Sequence, residues 1–193
     1  GKEIGDPTEV ALINLAHNFW VEETTYRTQH PRLAELAFDS DRKLMSTMHK
    51  FALDSNTSVY DLDGIYTLCT KGAMDVLLAR SVNVMTSQGV RPLTEEDRRK
   101  ISEVNNQLSE NGLRVLAFAF KEYHNCEECP QLTLEDENGY TFVGLISMID
   151  PPREESKKAV ADAKRGGIRT VMITGDHKVT ATAIAKQIGI FEE

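Results

Sequence analysis

An apolar run, Val171-Met172-Ile173, stops at Thr174-Gly175-Asp176, and a helical pattern begins a few residues later. A hydroxyl, a glycine and a carboxylate between strand and helix form a phosphate-handling arrangement. The hydroxyl and backbone N–H groups can hold phosphate oxygens at a helix N-terminus. The carboxylate can serve Mg²⁺, which prefers oxygen ligands. Such a loop cannot transfer a phosphoryl group alone: it needs a nucleophile and a nucleotide. The sequence contains no Gly-x-x-x-x-Gly-Lys-Ser/Thr loop and no Gly-x-Gly-x-x-Gly, so any nucleotide site is of another kind.

Composition narrows the field. The 193 residues are 40% hydrophobic, enough for one large domain or a domain plus a further piece. No run approaches the roughly 20 apolar residues of a membrane helix, and no signal sequence opens the chain. The chain as given is expected to be soluble, without direct membrane contact. A net charge of −8 argues against nucleic acid. It also means that local Lys and Arg must reverse the field wherever a phosphate binds. Cys69, Cys126 and Cys129 fit a reducing compartment. Cys126-Glu-Glu-Cys129 has zinc-ligand spacing, but no second Cys or His pair completes four ligands, so a polar surface loop is expected and no metal site.

These groups need elements to position them. Asp6-Pro7-Thr8-Glu9 opens a helix with an N-cap, a first-position proline and a capping-box acid. Its apolar run to Trp20 predicts a largely buried helix, followed by a polar stretch at 22–32. Residues 33–38 and 45–51 read as strands around Asp39-Ser40-Asp41. Residues 59–62 and 65–70 read as a hairpin around Asp63-Gly64. A short helix is expected at 72–80 and an amphipathic one at 94–111, where Ile101, Val104 and Leu108 share a face and Gly112 ends it. Residues 113–120 are apolar on both faces, as in a central strand. An acidic loop at 122–139 precedes a strand at 140–148. After Asp150-Pro151-Pro152 the order becomes helix 153–165, strand 168–173, helix 178–188. That order signals a parallel sheet with helical crossovers. The expected fold is α/β (α+β): a mainly antiparallel sheet flanked by helices over 1–148, then an incomplete parallel β-α-β-α piece over 149–193.

One nucleophile candidate is Asp61, since Asp61-Leu62-Asp63-Gly64-Ile65 resembles the Asp-x-Asp-Gly signature of dehalogenase-type phosphatases. Polar Ser55-Asn56-Thr57-Ser58 precedes it, where that fold has a buried strand, so the hairpin tip is the preferred reading. Four motifs in register point elsewhere: Gly5-Asp6-Pro7-Thr8-Glu9; Phe38 to Ser46; Thr70-Lys71-Gly72-Ala73; and Ile149-Asp150-Pro151-Pro152-Arg153 with Thr174-Gly175-Asp176-His177. Together they resemble P-type cation-transporting ATPases of the calcium-pump-like group, over residues 5–191.

The resemblance implies a nucleotide-binding domain at 1–148 and part of a phosphorylation domain from 149. It implies that Phe38 stacks on adenine, that Lys71 lies at the back of the nucleotide pocket with Gly72 allowing close approach, and that Glu9 lies near the adenine amino group. It places Lys43 near the nucleotide and Arg114 at an ATP phosphate. Thr174, Gly175 and Asp176 become the phosphate loop and Asp150 a hinge residue; His177 reads as a surface residue of the next helix's first turn. Ser40 stands where many animal calcium pumps carry an arginine, so a phosphate contact is either absent or supplied by Arg42. The family's Asp-Lys-Thr-Gly-Thr nucleophile, its downstream acidic Mg²⁺ motif and its transmembrane helices are not in the sequence. The implied ligand is Mg-ATP, bound without turnover. The implied partners are the rest of the phosphorylation domain, the actuator domain and the transmembrane helices of one pump, on the cytoplasmic side of its membrane. The alternatives are a free-standing phosphatase using Asp61 and Thr174, or an interaction module with no ligand.

Overall fold

The computed structural model describes residues 6–51, 65–149, 153–173 and 178–191. The expected hairpin at Asp63-Gly64, the candidate Asp61, the hinge Asp150 and the loop Thr174-Gly175-Asp176-His177 lie outside those residues. The chain divides into two compact units, Gly1–Arg98 with Leu116–Ile146, and Arg99–Val115 with Ser147–Glu193.

In the first unit, helix α1 (Pro7–Asn18) starts where the sequence places it. Asp6 caps it, its carboxylate accepting the Thr8 N–H at 2.9 Å. The expectation of a largely buried helix fails. No α1 residue is fully buried, and Trp20 just beyond it is 94% exposed. Its apolar residues run all round the helix, but only a stripe including Leu12, Ile13 and Ala16 is turned into a cleft. The polar stretch that follows is not a plain connection but a second helix, α2 (Glu23–Gln29), supported by a Glu23–Arg27 ion pair at 2.7 Å one turn apart. The Tyr26, His30 and Phe51 rings then stack in sequence, with centroids 4.9 and 5.1 Å apart.

Seven strands form one sheet in the order β1-β2-β3-β6-β7-β4-β5. They are β1 (Ala34–Asp39), β2 (Leu44–His49), β3 (Tyr66–Gly72), β4 (Ser81–Thr86), β5 (Gly89–Pro92), β6 (Arg114–Tyr123) and β7 (Tyr140–Met148). The apolar β6 is indeed central. The β1–β2, β2–β3, β3–β6 and β4–β5 pairs are antiparallel, and β4 pairs with β7 in parallel. The β4–β5 hairpin was not evident in the sequence; it turns at Gly89, whose φ of 103° suits glycine. Helix α3 (Met74–Ala79) falls where expected.

Pairing sorts the side chains by face, because directly opposed residues point the same way. Ser46 opposes Thr70, and Met48 opposes Leu68. These four, with Leu44, are fully or nearly fully buried and form the core face of the sheet. Met45 opposes Lys71, and Thr47 opposes Cys69, on the other face.

Helix α4 (Glu95–Glu110) begins in a reciprocal cap: Asp97 accepts the Thr94 N–H at 2.9 Å and donates its own N–H to Thr94 Oγ1 at 3.2 Å. Helices α5 (Glu154–Arg165) and α6 (Lys178–Gln187) also match expectation. Residues 168–173 do not: they carry no strand, and Ile168, Val171 and Ile173 are 65%, 69% and 94% exposed. An apolar strand needs a neighbour for its backbone hydrogen bonds, and none is paired with this stretch among the described residues.

Candidate nucleotide-binding site

The connection from β1 to β2 is built by one carboxylate. Asp39 Oδ1 accepts the N–H groups of Asp41 and Arg42 at 3.1 and 2.9 Å, an Asx-type turn. Lys43 closes the turn in the left-handed region, φ 59°. A lysine there costs roughly 1–2 kcal/mol, so the position is held by its surroundings. Its carbonyl accepts the Ala73 N–H at 3.1 Å, locking the turn to the end of β3.

Phe38 owes its direction to an irregularity. The register is Leu36↔Ser46 but Asp39↔Leu44, a slip of one residue that spans Phe38. Without the slip, Phe38 would share the facing of Leu36 toward the core side. A one-residue insertion re-aims the side chain, and Phe38 stands 65% exposed. A large exposed ring at a strand irregularity is a poor use of apolar surface unless something flat packs on it.

Lys71 is on β3, one strand further in. Its ammonium pairs with the Glu9 carboxylate, 62 residues away in sequence. Lys71 is one-fifth exposed and Glu9 half exposed, so the pair sits at a rim. The capping reading of Glu9 did not anticipate this use. Gly72 follows, and its bareness is used by the protein: a Cβ there would lie 2.2 Å from the Lys43 carbonyl oxygen. The close approach of the β2 and β3 ends, which brings the Lys43 carbonyl against Gly72 and Ala73, depends on that missing atom.

Beneath the hairpin is a polar network that the sequence did not reveal. Glu137, in the stretch expected to be a plain acidic loop, has 0% side-chain exposure. A short 3-10 helix (Leu134–Asp136), capped by Thr133 and Asp136, turns it inward. Its Oε1 accepts the Ser46 hydroxyl at 2.6 Å. Ser46 and Thr70 are 2.8 Å apart, and Thr70 donates to the Tyr140 hydroxyl at 2.9 Å. Burial pushes the Tyr140 phenol upward, so it stays neutral. Arg42 Nε and Arg80 Nη1 stand 3.0 and 3.6 Å from Glu137 Oε2. Arg42 is thus turned inward, with its side chain 12% exposed. The one sequence signal for this network was the Thr133-x-x-Asp136 cap pattern; nothing local separates Glu137 from Glu127, Glu128 or Glu135.

Phe38, Lys43, Lys71, Gly72 and Glu9 are therefore assembled by three neighbouring strands and α1. Arg114 is exposed at the first position of β6 and belongs to the second unit. An apolar cleft of about 330 Å³ also borders Glu9, lined by residues that include Tyr26, His49 and Cys69, but not by Phe38 or Lys71. Burial raises the Cys69 thiol to about 12, which makes it inert. Cys126 and Cys129 lie in a loop as expected, and the described residues hold no cluster of three or more His, Cys, Asp or Glu fit for a metal. No helix among them is long and apolar enough to cross a membrane.

Comparison with known proteins gives the family. The family model described as P-type ATPase, cytoplasmic domain N matches residues 1–155. Calcium-transporting ATPase 1 of Bacillus cereus is 43% identical over 99% of this chain and 20% of its own length. The protein of the same name from Lactococcus lactis is 44% identical over 100% of this chain and 20% of its own. That of Saccharomyces cerevisiae is 38% identical over 97% and 18%. The chain thus spans about a fifth of the length of these relatives. It belongs to the P-type ATPase family, as a cytoplasmic-domain segment whose relatives are named calcium-transporting ATPases.

Proposed function

We propose that this chain is the ATP-binding portion of a P-type pump that couples ATP hydrolysis to cation transport, calcium by the names of its relatives. The supporting observation is that Phe38, Lys43 and Lys71 stand at the same end of the adjacent strands β1, β2 and β3, with Glu9 paired to Lys71. Adenine stacks on the exposed Phe38 ring, a contact of about 0.5–1.5 kcal/mol. Lys43 and Lys71 supply positive charge within a chain of net charge −8. Glu9 orients Lys71 and accepts from the adenine amino group. Arg114 meets phosphate, and Thr174, Gly175 and Asp176 hold the transferred phosphoryl group.

Residues 1–148 then act as the nucleotide-binding domain and 149–193 as an incomplete piece of the phosphorylation domain. The parent protein is membrane-embedded, with this part on the cytoplasmic side. Mg²⁺ arrives with the nucleotide. The domain's contribution to phosphoryl transfer is positioning and charge neutralisation, directed at an aspartate outside this chain. An open pocket without a P-loop suggests a dissociation constant of roughly 0.1–1 mM, equivalent to 4–5.5 kcal/mol.

The test is an ATP titration of wild type, Lys71→Ala and Asp61→Ala, with phosphate release followed in parallel. Binding lost only in Lys71→Ala, without turnover in any of the three, supports the pump reading. Turnover by wild type that Asp61→Ala abolishes would replace it with a dehalogenase-type phosphatase.

A further inference from the structure

We infer that Arg42 is a positioning residue for the nucleotide. Anchored from below by buried Glu137, it ties together the two strand ends that carry Phe38 and Lys43. The inference rests on the reading above, in which those two side chains meet ATP.

The geometry is specific. Arg42 Nη2 donates to two carbonyls, Ala37 O at 2.6 Å and Leu44 O at 3.0 Å. Ala37 immediately precedes Phe38, and Leu44 immediately follows Lys43. Between Leu36 and Asp39 the β1–β2 register slips, so the regular ladder is interrupted where the ring must be held. The guanidinium supplies hydrogen bonds there that the ladder does not.

Its orientation follows from that task. Arg42 Nε lies 3.0 Å from Glu137 Oε2, yet the two atoms do not form an aligned hydrogen bond. A guanidinium free to optimise its ion pair would take a bidentate fork on the carboxylate. This one aims its donors at the hairpin carbonyls and keeps Glu137 as a charge partner. Glu137 is fixed in turn by Ser46 Oγ at 2.6 Å, by the Arg80 guanidinium at 3.6 Å and by its own carbonyl, which accepts from Arg80 at 3.2 Å. Lysine cannot replace arginine here: Nη2 holds both carbonyls while a second nitrogen, Nε, faces Glu137, and a single ammonium cannot stand in both places.

The experiment is a double-mutant cycle on the whole chain, with Mg-ATP affinity read from NMR shift titrations and folding checked by thermal unfolding. The variants are Arg42→Lys, Phe38→Ala and the pair. A residue that acts through Phe38 must lose its effect when Phe38 is gone, whereas a merely structural residue weakens both backgrounds alike. Arg42→Lys is expected to weaken ATP about five-fold in wild type and less than about two-fold in the Phe38→Ala background, a coupling typical of neighbours. Equal weakening in both backgrounds, or none in wild type, overturns the positioning role while leaving the site intact. Unchanged affinity in Phe38→Ala alone overturns the site reading instead. Should Arg42→Lys fail to fold, Ser46→Ala, which frees Glu137 but leaves both charges, takes its place. It is expected to show the same dependence on Phe38 at a smaller size, and equal loss in both backgrounds, or none in wild type, counts against the proposal.

Discussion

Above the β1–β2 hairpin stand Phe38, 65% exposed, and Lys43, also exposed; below it Glu137, Ser46 and Thr70 are almost wholly buried. The two sides share one backbone but are held by different forces. The outer groups make few contacts that fold the protein, so their value lies in what they can bind. The inner groups form a polar network whose members depend on one another, because a buried charge or hydroxyl left without its partner is costly. Changes above the hairpin should therefore alter affinity with little effect on stability, and changes below it should alter stability first.

The largest effect is expected from Glu137→Ala. It leaves Arg42 and Arg80 without their shared carboxylate and Ser46 without its acceptor. Breaking a buried charge network costs about 3–5 kcal/mol, measurable by urea denaturation, and a loss below about 1 kcal/mol would show that the network is not what anchors the hairpin. Gly72→Ala comes next and should affect both sides. Its Cβ would lie 2.2 Å from the Lys43 carbonyl oxygen, forcing β2 and β3 apart. Overpacking of this kind costs roughly 1–3 kcal/mol, and the displaced Lys43 should weaken ATP as well; a stable variant with normal affinity would contradict the close approach described above. Phe38→Ala should leave stability within about 0.5 kcal/mol of wild type and weaken ATP about two- to ten-fold.

The smallest effect is one of pH. Burial works to raise the Asp136 carboxyl, but hydrogen bonds from Thr133 and Tyr123 and the Lys121 charge outweigh it and hold it below the usual range. Hydrogen bonds from Arg91 and Thr94 also hold Asp97 below the usual range. Both folded values lie below the unfolded ones. Their stabilisation is therefore complete above the unfolded carboxylate range and disappears as pH falls through the folded values. Acid titration of stability should show a shallower fall in Asp97→Asn than in wild type, and identical curves would assign the acid sensitivity elsewhere.

How much of this was legible depended on how local the signal was. Asp6-Pro7 announces the start of α1 because a cap is written within a few residues. Phe38, Lys43 and Lys71 could be named because short motifs carry them. The slip at Phe38 could not be read, since alternation along β1 alone gives no hint that its partner is offset. Glu137 could not be told from its acidic neighbours, because what makes it different is Arg42, Arg80 and Ser46, none of them near it in sequence. Residues 168–173 show the converse: their apolar pattern is that of a strand, but strand structure also requires a partner. Trp20 and the outer side of α1 make the same point for helices, since an apolar surface is buried only where something covers it.

The central claim is that ATP binds where the three strand ends converge, and not in the apolar cleft beside α1 and α2. Mapping backbone amide shifts during an ATP titration tests it directly. The account predicts saturable shifts centred on Phe38, Lys43, Lys71 and Gly72. Shifts confined to Leu12, Tyr26 and His49, with those four residues unmoved, would contradict it.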